Sequence, residues 1–270
     1  MRGKPGARVG SALGRQTSTV RTAVTSEPPL RIATVIPCRN DADFLEPCLQ
    51  ALADQKRPSD VVVVVDNGST DNTAEVATRF GAHLVREEVP GVGAAAARGY
   101  DEASKLGADI IARLDADSVP PADWLQRIED AFSPHPALDA ITGGAEFYGT
   151  SPFKRWAGAH LYIGLMYPVL TPFMGHAPVF GSNFAMRVAL WDRLSHAVNR
   201  TNPDVHDDMD LSTQMPASTR VVYDKTLVMP VSGRPFDTWG SLGTRLRKVG
   251  VTLRATWPLW LPWTRQARNR

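Results

Sequence analysis

The sequence predicts an α/β fold with a doubly wound sheet in its first half, and three observations carry that prediction. Short β-branched runs alternate with helical patterns from Arg31 to Phe132. The runs stop at Pro37, Val65 and Leu114, each followed by polar or acidic residues, and open α/β sheets bind ligands outside the carboxyl ends of such strands. At 270 residues, with 43% hydrophobic and 21% charged side chains, the chain has the size and composition of one large globular domain.

Taken in order, R-I-A-T-V-I-P at 31–37 is a buried parallel strand closed by a proline. Asp41 or Asp43 can cap the helix that follows, in which Phe44, Leu45, Leu49 and Leu52 recur at helical spacing. Val61 to Val65 is an all-valine strand ending at Asp66, and Thr73 to Phe80 is the next helix. His83 to Val85 is a short strand before the glycine-rich loop at Pro90 to Gly93, and Ala94 to Leu106 is an alanine-rich helix. Asp109 to Leu114 is a strand that delivers Asp115 and Asp117 at its end; Pro120, Pro121 and Asp123 then start a helix running to about Phe132.

The second half is less regular. Strands are expected over 138–147, 180–187 and 220–228, with helices near 189–196 and 211–215. No charged residue stands between Arg155 and Arg187, a length that raises a membrane span. Pro168, Pro172 and Pro178, with His160 and His176, interrupt it, so a buried or membrane-leaning acceptor lobe is expected instead. Residues 1–29 read as a disordered basic arm without a secretory-type apolar stretch, 30–240 as the folded domain, and 241–270 as a basic and aromatic C-terminal segment. In that segment Arg245, Arg247, Lys248 and Arg254 beside Trp257, Trp260 and Trp263 suit peripheral membrane contact or helical packing equally. A net charge of +2 gives no indication of nucleic acid, and the two cysteines, Cys38 and Cys48, are too few for a disulfide framework and fit a cytoplasmic setting.

Chemistry concentrates in four clusters. Asp115 and Asp117 sit two apart at a strand end, where extended backbone points both carboxylates at one ligand. Such donors suit Mg²⁺ or Mn²⁺ on a diphosphate, although a solvated turn or helix cap has the same signature. Asp66 and Asn67, at the tip of the valine strand, are assigned to nucleotide, with Ser69 or Asp71 as a helix cap. Gly91, Gly93 and Gly99 resemble a phosphate cradle but do not follow the first strand, which disfavours a dinucleotide cofactor; Arg98 among them suits a diphosphate or a structural ion pair. Asp207, Asp208 and Asp210 crowd three carboxylates into four positions, which can raise one pKa towards that of a general base or form a solvated helix start.

The clusters come in a telling order. V-I-P-C-R-N at 35–40, V-D-N-G-S-T-D at 65–71, G-V-G-A-A-A-A-R-G at 91–99, L-D-A-D at 114–117, G-S-N-F-A-M-R at 181–187 and D-D-M-D-L at 207–211 resemble the family 2 inverting glycosyltransferases over residues 31 to about 215. The resemblance implies a GT-A fold, with a Rossmann-like nucleotide-binding half (30–118), a mixed central sheet and a less regular acceptor-binding half (119–240). It also implies a nucleotide-diphospho-sugar donor and a divalent cation, Mn²⁺ or Mg²⁺. By position, Pro37, Arg39, Asp66 and Asn67 would line the base and ribose pocket, with Arg98 a candidate for the diphosphate. Asp115 would approach the ribose or sugar, Asp117 would hold the metal, and Asp208 would be the catalytic base of a single displacement. Asp207 replaces the usual glutamate, Arg39 a common tyrosine and Asn67 a second aspartate, which leaves base stacking and the identity of the nucleotide open.

Gly181, Ser182 and Asn183, with Asp207, are the acceptor-side candidates, and His176 or a residue near 232–234 is a candidate to complete the metal or diphosphate site. The acceptor itself, whether glycan, lipid-linked or small molecule, is not specified; cell-envelope polysaccharide or glycolipid synthesis at the inner face of the membrane is the expected setting. Two other readings fit a sheet with acidic strand ends. A sugar-nucleotide nucleotidyltransferase would carry a glycine-rich, lysine-containing turn where P-C-R-N-D stands, and an inactive sugar-binding domain would not need Asp115, Asp117 and Asp208 together.

Overall fold

The computed structural model describes residues 29–234 and 239–256, the side chains of Tyr162 and 239–246 excepted; the expected arm before residue 29 and the tryptophan-rich tail past Thr256 lie outside the described residues. Strands β1 (Ile32–Cys38), β2 (Val61–Asp66), β3 (His83–Arg86) and β4 (Ile110–Arg113) are mutually parallel and alternate with α1 (Ala42–Ala53), α2 (Thr73–Arg79) and α3 (Val92–Lys105). After α4 (Trp124–Phe132) come β5 (Ala140–Tyr148), α5 (Pro152–Ala157), a π-helical turn (Gly158–Ile163), α6 (Gly164–Met174), β6 (Phe184–Arg187), α7 (Val188–Leu194), α8 (Asp207–Gln214), β7 (Val221–Ser232) and α9 (Trp239–Thr256). All seven strands join one sheet in the order β3-β2-β1-β4-β6-β5-β7, with β6 antiparallel to both neighbours and β7 parallel to β5.

Strand periodicity builds the two faces. Ile32, Ile36 and Cys38 of β1 pack with α1, α2 and α4 on one side, while Ala33 and Val35 pack with α3, α7 and α8 on the other. The α3 helix lies close on β1 and β2 because Gly99 has no side chain: a Cβ there would collide with Val35 and Val65. Because β2 and β3 lie to one side of β1 and β4 to the other, the loops after β1 and β4 diverge and leave a crevice between them.

Several boundaries differ from the sequence reading. The α3 helix starts at Val92, so Gly93 lies in its first turn and Gly91, at φ +126°, is the residue that needs to be glycine. Residues 181–183 form a turn, closed by Asn183 N donating to Phe180 O at 2.8 Å, and β6 begins only at Phe184. The α8 helix begins at Asp207, its three acids occupying the first turn, where free N–H groups and the positive end of the helix dipole favour them. The uncharged stretch is buried only in part: residues 176–186 are buried, whereas Trp156, Leu161, Leu165, Val169 and Phe173 ahead of them are exposed. No helix among the described residues is long and apolar enough to cross a membrane.

Candidate active site

A cavity of about 460 Å³ opens over the β1/β4 crevice. Pro37 lines it from the end of β1, Arg39 and Asp41 from the loop that follows, Asn67 from the β2 tip, Gly91 from the start of α3, and Asp115 and Asp117 from the loop after β4. The acidic pair is not in extended backbone as expected. It sits in a turn in which Ser118 N donates to Asp115 O at 3.0 Å, so the two side chains have separate partners. Asp115 faces Arg113 (Nη2 to Oδ1, 2.8 Å) and accepts from Ser182 Oγ at 2.5 Å. Asp117 Oδ2 takes Arg234 Nη2 at 3.0 Å.

Arg234 reaches Asp117 because β7 is stitched to that turn, with Val119 N donating to Pro230 O and Ser232 N to Asp117 O, and the neighbouring β5 adds Tyr148 Oη donating to Asp117 O. Its guanidinium also pairs with Asp41 at 3.1 Å and lies 3.7 Å from the centroid of Phe44. Burial, then Asp115, pushes the Asp117 carboxyl up to about 6 against the opposing pull of Arg234. Among the described residues no three His, Cys, Asp or Glu side chains gather as a metal cage. A cation here would have at most Asp115 and Asp117 from these residues and the rest of its shell from donor and water, a donor set that fits Mg²⁺ or Mn²⁺.

The second acidic cluster is tied to the first through one residue that the sequence reading missed. Arg113 is fully buried, and its Nη2 reaches both Asp115 and, at 3.1 Å, Asp207 of α8. Burial alone would disfavour its charge, and Asp115 and Asp207 outweigh burial to raise its pKa. The available signal was an arginine inside an otherwise apolar strand, a residue type seldom buried without a partner. Burial raises the Asp207 carboxyl, with Arg113 opposing and Asp208 adding to the rise. Asp208 Oδ2 accepts from Gly181 N at 3.0 Å and its Oδ1 from Met209 N at 2.7 Å. Asp208 lines a separate apolar groove rather than the larger cavity, so the Arg113 cluster stands between the two.

Other candidates are taken up by contacts of their own. Asn183 is fully buried and its side chain is taken up within the fold, its amide donating to Gly144 O and Leu227 O and its Oδ1 accepting from Trp124 Nε1. These bonds cover the β5–β7 register break after Gly143. Asn67 does line the cavity, but its side chain is spent on the 87–91 loop, donating to Glu87 O and Val89 O and accepting from Gly91 N. Asp66 is buried off the cavity wall, its Oδ1 accepting from Ser69 N. Arg98 is off the wall too, with Nη2 3.8 Å from Glu102 on its own helix: the structural ion pair. His176 does not line the cavity and its Nδ1 lies 2.9 Å from Ala177 O.

This sheet order, with a cavity at the β1/β4 switch point and paired carboxylates after β4, defines an α/β domain of GT-A type. The profile of glycosyl transferase family 2 matches residues 34–194, more than half of the chain, and the protein belongs to that family. Asp207 and Asp208 lie beyond the matched span. The chain is 36% identical over 132 residues to the glycosyltransferase AglE of Haloferax volcanii, covering 46% of this chain and 42% of that protein. It thus spans less than half the length of that curated relative. Among solved structures, it superposes on glucosyl-3-phosphoglycerate synthase from Mycobacterium tuberculosis in complex with Mn²⁺, UDP and glucosyl-3-phosphoglycerate (TM-score 0.59, 18% identity, 84% of this chain and 80% of that one). It also superposes on the mannosyltransferase PcManGT from Pyrobaculum calidifontis in complex with GDP-mannose and Mn²⁺ (TM-score 0.57, 21% identity, 82% and 61%).

Proposed function

We propose that the protein transfers a sugar from a nucleotide-diphospho-sugar to an acceptor hydroxyl, with inversion, in a single displacement. The observation that carries this reading is the Arg113 bridge: one buried cation holds Asp115, on the wall of the switch-point cavity, and Asp207, next to Asp208 on the neighbouring groove. Donor and acceptor sites that abut across a shared charged cluster suit in-line attack at an anomeric carbon.

Pro37, Arg39 and Asn67 form the nucleoside end of the cavity, with Asp66 acting behind them by holding the 66–69 turn. Asp115, oriented by Arg113 and Ser182, faces the ribose or the sugar. Asp117, with Asp115, would hold Mn²⁺ or Mg²⁺, which supplies countercharge to the departing nucleoside diphosphate. Arg234, on the same wall, adds a permanent positive charge for the diphosphate. Asp208 accepts the proton of the attacking hydroxyl; Gly181 N fixes one of its oxygens. The complexes of the structural relatives with UDP or GDP-mannose and Mn²⁺ support this donor class and leave the sugar open.

The test is nucleoside-diphosphate release from a panel of UDP-, GDP- and TDP-sugars with Mn²⁺. Wild type should release one of them, and Asp117→Ala and Asp208→Asn should lose that release. NMR of the product should show the anomeric configuration opposite to the donor's; retention would contradict the single displacement.

A further inference from the structure

Nine large apolar side chains stand exposed among the described residues, and six of them, Phe153, Trp156, Leu161, Leu165, Val169 and Phe173, lie on α5, the π-helical turn and α6. Their spacing puts them on one surface. Steps of three and four residues keep side chains on one face of an α-helix, and the five-residue step from Trp156 to Leu161 crosses the π-helical turn, whose repeat is i to i+5. Apolar exposure concentrated on one element marks a binding surface, whereas single exposed side chains do not.

The stripe runs into the candidate active site. Leu165, Val169 and Leu170 of α6 face Pro178, Met209 and Val249 across a groove of about 280 Å³, and Asp208 is part of the groove lining. Apolar walls that meet a carboxylate specify an amphiphile, with a hydrocarbon chain to cover the walls and a hydroxyl-bearing head for the acid. Lys154 and Arg155, beside Trp156, supply positive charge at one end of the stripe, the pattern of a helix lying on an anionic lipid surface. We propose that the acceptor is a lipid-borne alcohol whose hydrocarbon chain lies in the α6 groove, with the exposed stripe facing the bilayer that carries it. This rests on the reading of Asp208 as the acceptor-side base.

Butyl, octyl and dodecyl glucosides, titrated calorimetrically into the full-length protein below their micelle-forming concentrations, test it. Affinity should rise with chain length, by roughly fourfold for each methylene that enters the groove. Leu165→Asp and Val169→Asp, at half-exposed positions that the fold does not need, should abolish that dependence, and Val222→Asp, an exposed position on β7, should leave it intact. Binding of UDP-, GDP- and TDP-sugars with Mn²⁺, which needs no acceptor, is titrated on the same proteins. Normal donor binding with no chain-length dependence overturns the lipid inference alone; no binding of any donor to wild type overturns the glycosyl-transfer reading itself. A wild type that sediments as a dimer, is split by Leu165→Asp and shows no chain-length preference assigns the stripe to a second copy and overturns the lipid inference.

Discussion

The backbone of Gly181 lies directly against the guanidinium of Arg113: a Cβ on Gly181 would occupy the position of Arg113 Nη1 and come within 3.1 Å of Asp208 Oδ2. Glycine is needed here for space, so the cluster joining the two cavities depends on a missing side chain. Gly181→Ala should push Arg113 off Asp115 and Asp207. Breaking a buried ion pair costs about 3–5 kcal/mol, and Arg113→Met should fall in the same range by leaving Asp207 buried without its cation. Urea unfolding measures the loss; wild-type stability in either variant would refute the bridge.

The pairing of Arg234 with Asp117 makes a second prediction. A cation and Arg234 compete for one carboxylate, so Arg234→Met should tighten Mn²⁺ binding in the absence of donor. The pair is partly exposed, with Arg234 44% accessible, and such pairs are worth at most about 1 kcal/mol, so the gain should be no more than about fivefold. If Arg234 also serves the diphosphate, the same variant should raise the KM for the donor. Calorimetric Mn²⁺ titration and donor kinetics read the two effects separately, and unchanged Mn²⁺ affinity would show that the pairing does not control the carboxylate.

These relationships also mark where sequence reasoning stopped. The parallel half was legible because its strands are nearly pure β-branched runs, Val61–Val65 above all, and because strand ends in such sheets are where acids collect. The turn at Asp115–Ser118 was not, since a carboxylate pair two residues apart reads alike in a strand and in a turn. Asn183 looked like a site residue because it adjoins Gly181 and Ser182; its partners Gly144, Leu227 and Trp124 are distant in sequence and meet only where the β5–β7 register breaks. The same distance hid Arg113, whose second partner is on α8. The uncharged stretch showed that something apolar was there, but facing direction depends on the π-helical turn, which no periodicity announced.

Asn183 therefore predicts a stability effect and not a specificity effect. Asn183→Ala leaves Gly144 O, Leu227 O and Trp124 Nε1 each short of a buried partner. At about 1–3 kcal/mol for one unsatisfied group, the variant should lose at least about 3 kcal/mol. In the fraction that folds, acceptor KM should match wild type. A raised acceptor KM at wild-type stability would return Asn183 to the acceptor site.

Asp71 makes the pH prediction. Its Oδ1 accepts from Thr73 N and Thr73 Oγ1 while its Oδ2 accepts from Ala42 N, so one carboxylate closes the first turns of both α1 and α2. Burial acts to raise its pKa, but the hydrogen bonds from Thr73 and Ala42 together outweigh it and hold the carboxyl below its ordinary value. For an acid depressed in the folded state, the stabilisation is fully present above the unfolded pKa of about 3.9 and disappears as pH falls through the lower folded value. Asp71→Ala should therefore cost about 1–2 kcal/mol at neutral pH, the worth of a helix cap, and the gap to wild type should close as the pH drops below the carboxylate range. Urea midpoints across an acid pH series measure this, and a gap that stays constant with pH would mean that the carboxylate charge takes no part in joining the two helices.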